Sequence, residues 1–229
     1  RDVLAVSYSV LAHVGHAFGP RSHEVQDVLA RLDVTIGDLL DHLDHTVGRE
    51  HYVLALTGDH GVSPIPEQMS TLGIDAGRVA AVQLREQVDK ALTPVLGPGP
   101  HLAAIAYTDL YFVAGRYDAL VANPEAMQAT IAALESVPGV AKVYRGDHIR
   151  AGLFNPDDGV ARAIAAGYHP ARSGDLLLVP QAYWITSGAI ATHGTAYHYD
   201  SRVPLIFYGA HVKPGAYAEP ASPADIAPT

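Results

Sequence analysis

An aspartate and a histidine stand side by side between two glycines in Thr57-Gly58-Asp59-His60-Gly61. They follow Tyr52-Val53-Leu54-Ala55-Leu56, an apolar run that reads as a buried strand. A carboxylate and an imidazole at the end of such a strand are costly unless something binds them. A divalent metal ion would satisfy both, because oxygen and nitrogen donors of this kind suit zinc and similar ions. Two more histidines occupy comparable settings, His16 in Val14-Gly15-His16 and His193 in Thr192-His193-Gly194. Glycine lets a backbone turn tightly and come close to a bound group. The candidate metal set is therefore His16, Asp59, His60 and His193.

The elements that would position these residues can be read from periodicity. Residues 2–10 have the pattern of a core strand, and Gly15–Pro20 that of the loop after it. From Ser22 to Val47 the apolar positions Val25, Val28, Leu29, Leu32, Ile36, Leu39, Leu40, Leu43 and Val47 follow helical spacing, which predicts an amphipathic helix. Strand, helix and the strand at 52–57 make a unit that implies a mostly parallel sheet with helices on both faces. Ligands in such sheets bind at the carboxyl ends of strands. The rest reads as a Pro-containing loop at 63–75, a helix at 79–96, strands at 102–107 and 109–114, and a helix at 124–136. Further strands follow at 139–144, 175–180 and 203–209, with a polar loop at 193–200. The expected organisation is an α/β core from 1–75 and 170–229, interrupted by a small α/β insertion at 76–169. Ser222-Pro223-Ala224-Asp225 is a good helix start. A strand pattern at the first residues and a helix start at the last ones suggest a piece of a larger fold.

Composition narrows the function. Hydrophobic residues make up 48% and charged residues 17% of the 229, which suits a globular domain. The formal net charge of −9 and the absence of any basic block argue against a nucleic-acid polymer as partner. There is no Cys, so neither a thiolate metal site nor a Cys nucleophile is available. No stretch is long and apolar enough to form a membrane-spanning helix.

Thr57–Gly61, with Val14-Gly15-His16-Ala17-Phe18-Gly19 before it and His193-Gly194-Thr195-Ala196-Tyr197-His198-Tyr199-Asp200 after it, resembles the alkaline phosphatase superfamily. The branch it most resembles is that of the phosphate-irrepressible alkaline phosphatases, neighbours of the type I phosphodiesterase/nucleotide pyrophosphatases. The resemblance runs from about residue 2 to 229. It implies a hydrolase with two zinc ions and a phosphorylated Thr or Ser intermediate. Asp59 and His60 match the pair on one metal; His16 and His193 match the two histidines on the other. Two such metals stabilise the attacking and leaving oxygens together. The expected substrate is a small phosphate monoester, with phosphodiesters or nucleotide pyrophosphates as the alternative. The nucleophile and one further Asp belong to a segment before residue 1, so the remainder of the polypeptide is an expected partner and the chain alone is expected to be inactive. Relatives in this branch are commonly exported, which implies a periplasmic or secreted location.

One position departs from the pattern. The residue four before His16 should be an Asp and is Ala12, in Leu11-Ala12-His13-Val14. Ala has no donor atom, so a degenerate, non-catalytic homologue is a second reading. His13 is adjacent, but in an extended segment it would point the other way. Other polar residues read more simply. His42 and His45 belong to a solvated helix face with Asp41 and Asp44, Asp147-His148 to a surface turn, Trp184 to packing, and Asp200 to the hydrogen bonding of its loop.

Overall fold

The structure, a computed structural model, describes residues 2–227. In chain order the regular elements are α1 (Val10–Phe18), α2 (His23–Thr46), β1 (Val53–Thr57), α3 (Pro66–Thr71), β2 (Gly77–Arg78), α4 (Ala81–Leu96), β3 (Leu102–Ala106) and β4 (Asp109–Phe112). There follow α5 (Arg116–Val121), α6 (Pro124–Glu135), β5 (Val140–Arg145), α7 (Gly146–Arg150), α8 (Gly159–Gly167), β6 (Leu176–Pro180), β7 (Trp184–Ile185), α9 (His198–Ser201) and β8 (Leu205–Gly209). They divide into two compact units, one of residues 1–62 with 198–229 and one of residues 63–197.

In the first unit α2 forms where the apolar period places it. Ser22 caps it, its hydroxyl accepting from the Val25 N–H at 3.2 Å. The segment before it differs from expectation. Residues 2–8 make no strand, because among the described residues no neighbouring strand pairs with them. The chain then enters α1, which takes in His16 and most of the expected loop. Leu11, Val14, Gly15 and Phe18 share its helical spacing. With no strand ahead of it, α2 is not a crossover between parallel strands. β1 pairs instead with β8, antiparallel, from Val53 opposite Gly209 to Thr57 opposite Leu205. The expected mostly parallel sheet is thus not seen among the described residues, where β2 with β7 is the parallel pairing. Apolar runs look alike in either direction, and only the missing first strand had implied parallel pairing.

Asp44 ties α2 to this ribbon, accepting from the hydroxyls of Tyr52 at 2.6 Å and Tyr208 at 3.5 Å. Desolvation and the bond to Asp44 push the Tyr52 hydroxyl well above the ordinary tyrosine range. Arg49 lies over the Tyr208 ring at 4.6 Å. Asp44 therefore anchors the ribbon, and only its neighbours Asp41, His42 and His45 form an exposed face.

The second unit holds a four-stranded antiparallel sheet in the order β3-β4-β6-β5. Leu84, Val88 and Leu92 of α4 and Ala126, Met127 and Leu134 of α6 join its buried strands in one core. The unit is wider than residues 76–169. β6, expected in the α/β core rather than the insertion, is buried throughout and hydrogen-bonded on both sides by β4 and β5, so it is an inner strand here. Trp184 packs flat on Gly139. A Cβ on that glycine would lie 2.0 Å from the indole, and its φ of +87° suits no other residue well. Asp147 also differs from the expected surface turn. It lies in the first turn of α7 and accepts from Tyr117 Oη at 2.7 Å and from Arg145 Nε at 3.0 Å. Burial alone would raise its pKa, but the bonds from Arg145 and Tyr117 win and hold it at about 2.

Candidate metal centre

β1 delivers Asp59 and His60 to the turn that follows it. The His60 N–H donates to Asp59 Oδ1 at 3.1 Å, and Asp59 Oδ2 lies 3.6 Å from His60 Nε2. On the other side of the ring, Nδ1 is 2.7 Å from the Gly61 carbonyl. A carbonyl only accepts, so Nδ1 carries the hydrogen, and Nε2 is the ring nitrogen that faces Asp59. Asp59 is open to solvent, its side chain 89% exposed against 30% for His60.

Gly61 holds this turn against the start of α9. Its N–H donates to the Asp200 carbonyl at 2.7 Å, and the Val62 N–H to the Tyr199 carbonyl at 3.0 Å. A Cβ on Gly61 would fall 2.0 Å from the Tyr199 oxygen, so only glycine allows the approach. Asp200 is 3% exposed, and it is its backbone carbonyl that takes the bond from Gly61.

His16 lies on α1 of the same unit, with Ala12 one turn before it on the same face. That face presents no carboxylate at position 12. His13 is also helical, so its direction is not the one expected of an extended segment. It shares a face with His16 three residues on, but its Nδ1 is 2.9 Å from the Ser9 carbonyl.

His193 belongs to the second unit. Its loop is fixed by a residue that sequence reasoning passed over. The Ser63 N–H donates to the Thr192 carbonyl at 2.8 Å, and the Thr192 N–H returns a bond to Ser63 Oγ at 3.3 Å. Ser63 is 2% and Thr192 5% exposed. The available signal was a lone hydroxyl between Val62 and Pro64, which spacing alone does not distinguish from any loop serine. Tyr197 closes the other end of the loop, its hydroxyl donating to the Pro180 carbonyl at 2.9 Å. Between them, Gly194, Thr195 and Ala196 wall a cavity of about 260 Å³ with Ile164 and Val179.

Two ligands on one tetrahedral ion with bonds of about 2.0–2.1 Å stand about 3.3–3.4 Å apart. The 3.6 Å between Asp59 and His60 fits that spacing, so the pair suits half of a zinc-type site. Among the described residues no group of three or more His, Cys, Asp or Glu is placed to complete one.

The fold is that of the alkaline phosphatases. The structure matches the crystal structure of alkaline phosphatase PafA with a TM-score of 0.80 at 29% identity, covering 96% of this chain and 42% of that one. The chain belongs to the type I phosphodiesterase/nucleotide pyrophosphatase family, whose model matches residues 1–200. A Myroides odoratus protein named calcium-transporting ATPase is 32% identical over 235 residues, spanning all of this chain and 42% of that protein. Alkaline phosphatase PhoV of Synechococcus elongatus is 31% identical over 229 residues, again the whole chain, and 41% of its own length. PafA of Elizabethkingia meningoseptica is 29% identical over 232 residues. The chain thus spans about two fifths of the length of these relatives. No helix among the described residues is long and apolar enough to cross a membrane.

Proposed function

We propose that this chain is part of a metal-dependent hydrolase of phosphate esters, acting on phosphomonoesters. The convergence of Asp59 Oδ2 and His60 Nε2 at 3.6 Å, in a chain of this family, carries the reading. Asp59 and His60 would hold one zinc ion; His16 and His193 would serve a second. Bound zinc would supply positive charge at the phosphoryl oxygens. The chain's own part is orientation. The Gly61 carbonyl fixes the His60 ring, the α9 backbone fixes Gly61, and Ser63 holds the loop that bears His193. Names of the relatives favour monoesters, and the family description keeps phosphodiesters and nucleotide pyrophosphates as the alternative. A periplasmic or secreted location accords with this chemistry.

Ala12 favours a second reading, a homologue whose first metal position is too weak to work. Zinc content per chain of the full polypeptide separates the two. His60→Ala and Asp59→Asn should each lose zinc, and Ala12→Asp should raise zinc content and turnover of a chromogenic phosphate monoester together. Unchanged zinc in both His60→Ala and Asp59→Asn would refute the metal reading. Unchanged zinc and rate in Ala12→Asp would remove Ala12 from the site. The 229-residue chain alone should show no turnover above a buffer control.

A further inference from the structure

β7 ends at Ile185, and the chain from there to His193 forms no helix or strand. Its backbone carbonyls have no ladder to pair with and need donors from elsewhere. One side chain of the same unit supplies three. Arg78 Nη1 donates to the Ser187 carbonyl at 2.9 Å and to the Ala189 carbonyl at 2.6 Å, and Nη2 to the Ile190 carbonyl at 3.3 Å. The remaining N–H groups go to Glu67 of α3, Nε to Oε1 at 2.6 Å and Nη2 to Oε2 at 3.1 Å. All five donors of the guanidinium are thus used. The bond from Arg78 holds the Glu67 carboxyl below the usual carboxylate range. Arg78 is itself fixed, since it lies opposite Ile185 of β7 and the next N–H, that of Val79, donates to the Ile185 carbonyl at 2.9 Å.

An exposed ion pair contributes little by itself, and Glu67 is 61% exposed. The carbonyl bonds do something else. They gather the backbone on one cation where it passes from Ile190, 42% exposed, to Ala191 and Thr192, 0% and 5% exposed. Ser63 then holds Thr192, and the next residue is His193. We propose that Arg78 is a positioning residue, which sets the path of the backbone that presents His193 to a metal ion. This rests on the reading of His193 as a ligand. Lysine keeps the charge but offers its donors from a single point, so it cannot serve a carboxylate and three carbonyls in one plane. Groups that orient a metal ligand commonly change metal affinity by about 10–100-fold.

Zinc titration of the whole protein tests this, with hydrogen exchange read on the metal-free form. Arg78→Lys should weaken zinc binding at the His193 position by about 10–100-fold. Amides of 187–193 should exchange roughly tenfold faster in that variant, while those of α6 exchange as in the wild type. His193→Ala should weaken the same position more, and adding Arg78→Lys to it should weaken it no further, because Arg78 acts through His193. Glu67→Gln frees one side of the guanidinium but leaves the three carbonyl bonds, so it should weaken zinc binding less; the same cycle run with it decides if the lysine variant does not fold. Full zinc content in His193→Ala would refute the ligand reading and the proposal with it. Weakened zinc in His193→Ala beside wild-type affinity in Arg78→Lys would overturn the positioning role alone. So would an effect of Arg78→Lys that is the same with and without His193.

Discussion

Ser63 and Thr192, 129 positions apart in the chain, hold each other by two hydrogen bonds in a buried setting. One uses the Ser63 backbone N–H and survives any substitution but proline; the other needs its hydroxyl. Ser63→Ala leaves the Thr192 N–H buried without that acceptor, and the second unit should lose about 1–2 kcal/mol. Urea unfolding followed by circular dichroism measures this, and a change below about 0.3 kcal/mol would show the 3.3 Å bond to be idle.

His101 should make the second unit acid-sensitive. It is fully buried, and neither ring nitrogen has a hydrogen-bond partner. Its backbone N–H donates to Asp89, and its C=O accepts from Val113. Burial lowers its pKa below 6.5, with Arg116 adding to the effect and Asp89 opposing it. The unfolded chain therefore binds the proton more readily, so stability falls as pH drops below about 6.5 toward the folded-state value. His101→Leu should flatten the fall between pH 7.5 and 5, seen as convergence of the two urea midpoints. A wild-type midpoint that does not drop over that range would contradict the assignment.

Asp147 titrates with the opposite sign. Its folded pKa of about 2 lies below the ordinary 3.8, so its contribution is present above 3.8 and is lost as pH falls through about 2. The side chain is 26% exposed, and solvent screening trims the gain to about 1–2 kcal/mol. Asp147→Asn should remove that amount at pH 7 and almost none at pH 2. Calorimetry at both values decides, and an equal loss at each would point to packing rather than charge.

Gly139→Ala combines a disfavoured positive φ with a methyl group driven into the indole of Trp184. Destabilisation of about 2–4 kcal/mol should follow. Thermal melting of the variant checks it. A loss under about 1 kcal/mol would mean that the ring swings away at little expense.

What could be read beforehand was what is local. The α2 helix carries its own period and its own cap at Ser22, and both formed. The Asp59-His60 turn was legible because two glycines flank two ligand-type residues at a strand end. The 2–10 segment was misread because a strand is a relationship: alternation and apolarity describe a capacity to pair, and among the described residues 2–8 has no neighbour. The same gap hid the direction of β1 against β8. Ser63 and His101 were invisible for another reason. Their roles rest on partners or enclosure contributed by residues far along the chain, and neither residue type announces that in a list of letters.

The seat of Trp184 on Gly139 has a practical consequence. It is the sole tryptophan of the protein, and its Nε1–H lies 3.3 Å from Asp75, within the second unit. Its emission is therefore a built-in optical gauge of that unit alone. The paired rings of Tyr52 and Tyr208, 6.2 Å apart, belong to the first. Tyr111, Tyr117 and Tyr144 lie in the second unit too, so tyrosine emission reports on both; setting tryptophan emission against far-ultraviolet circular dichroism, which follows both units, lets one denaturation series distinguish which half of the molecule gives way first.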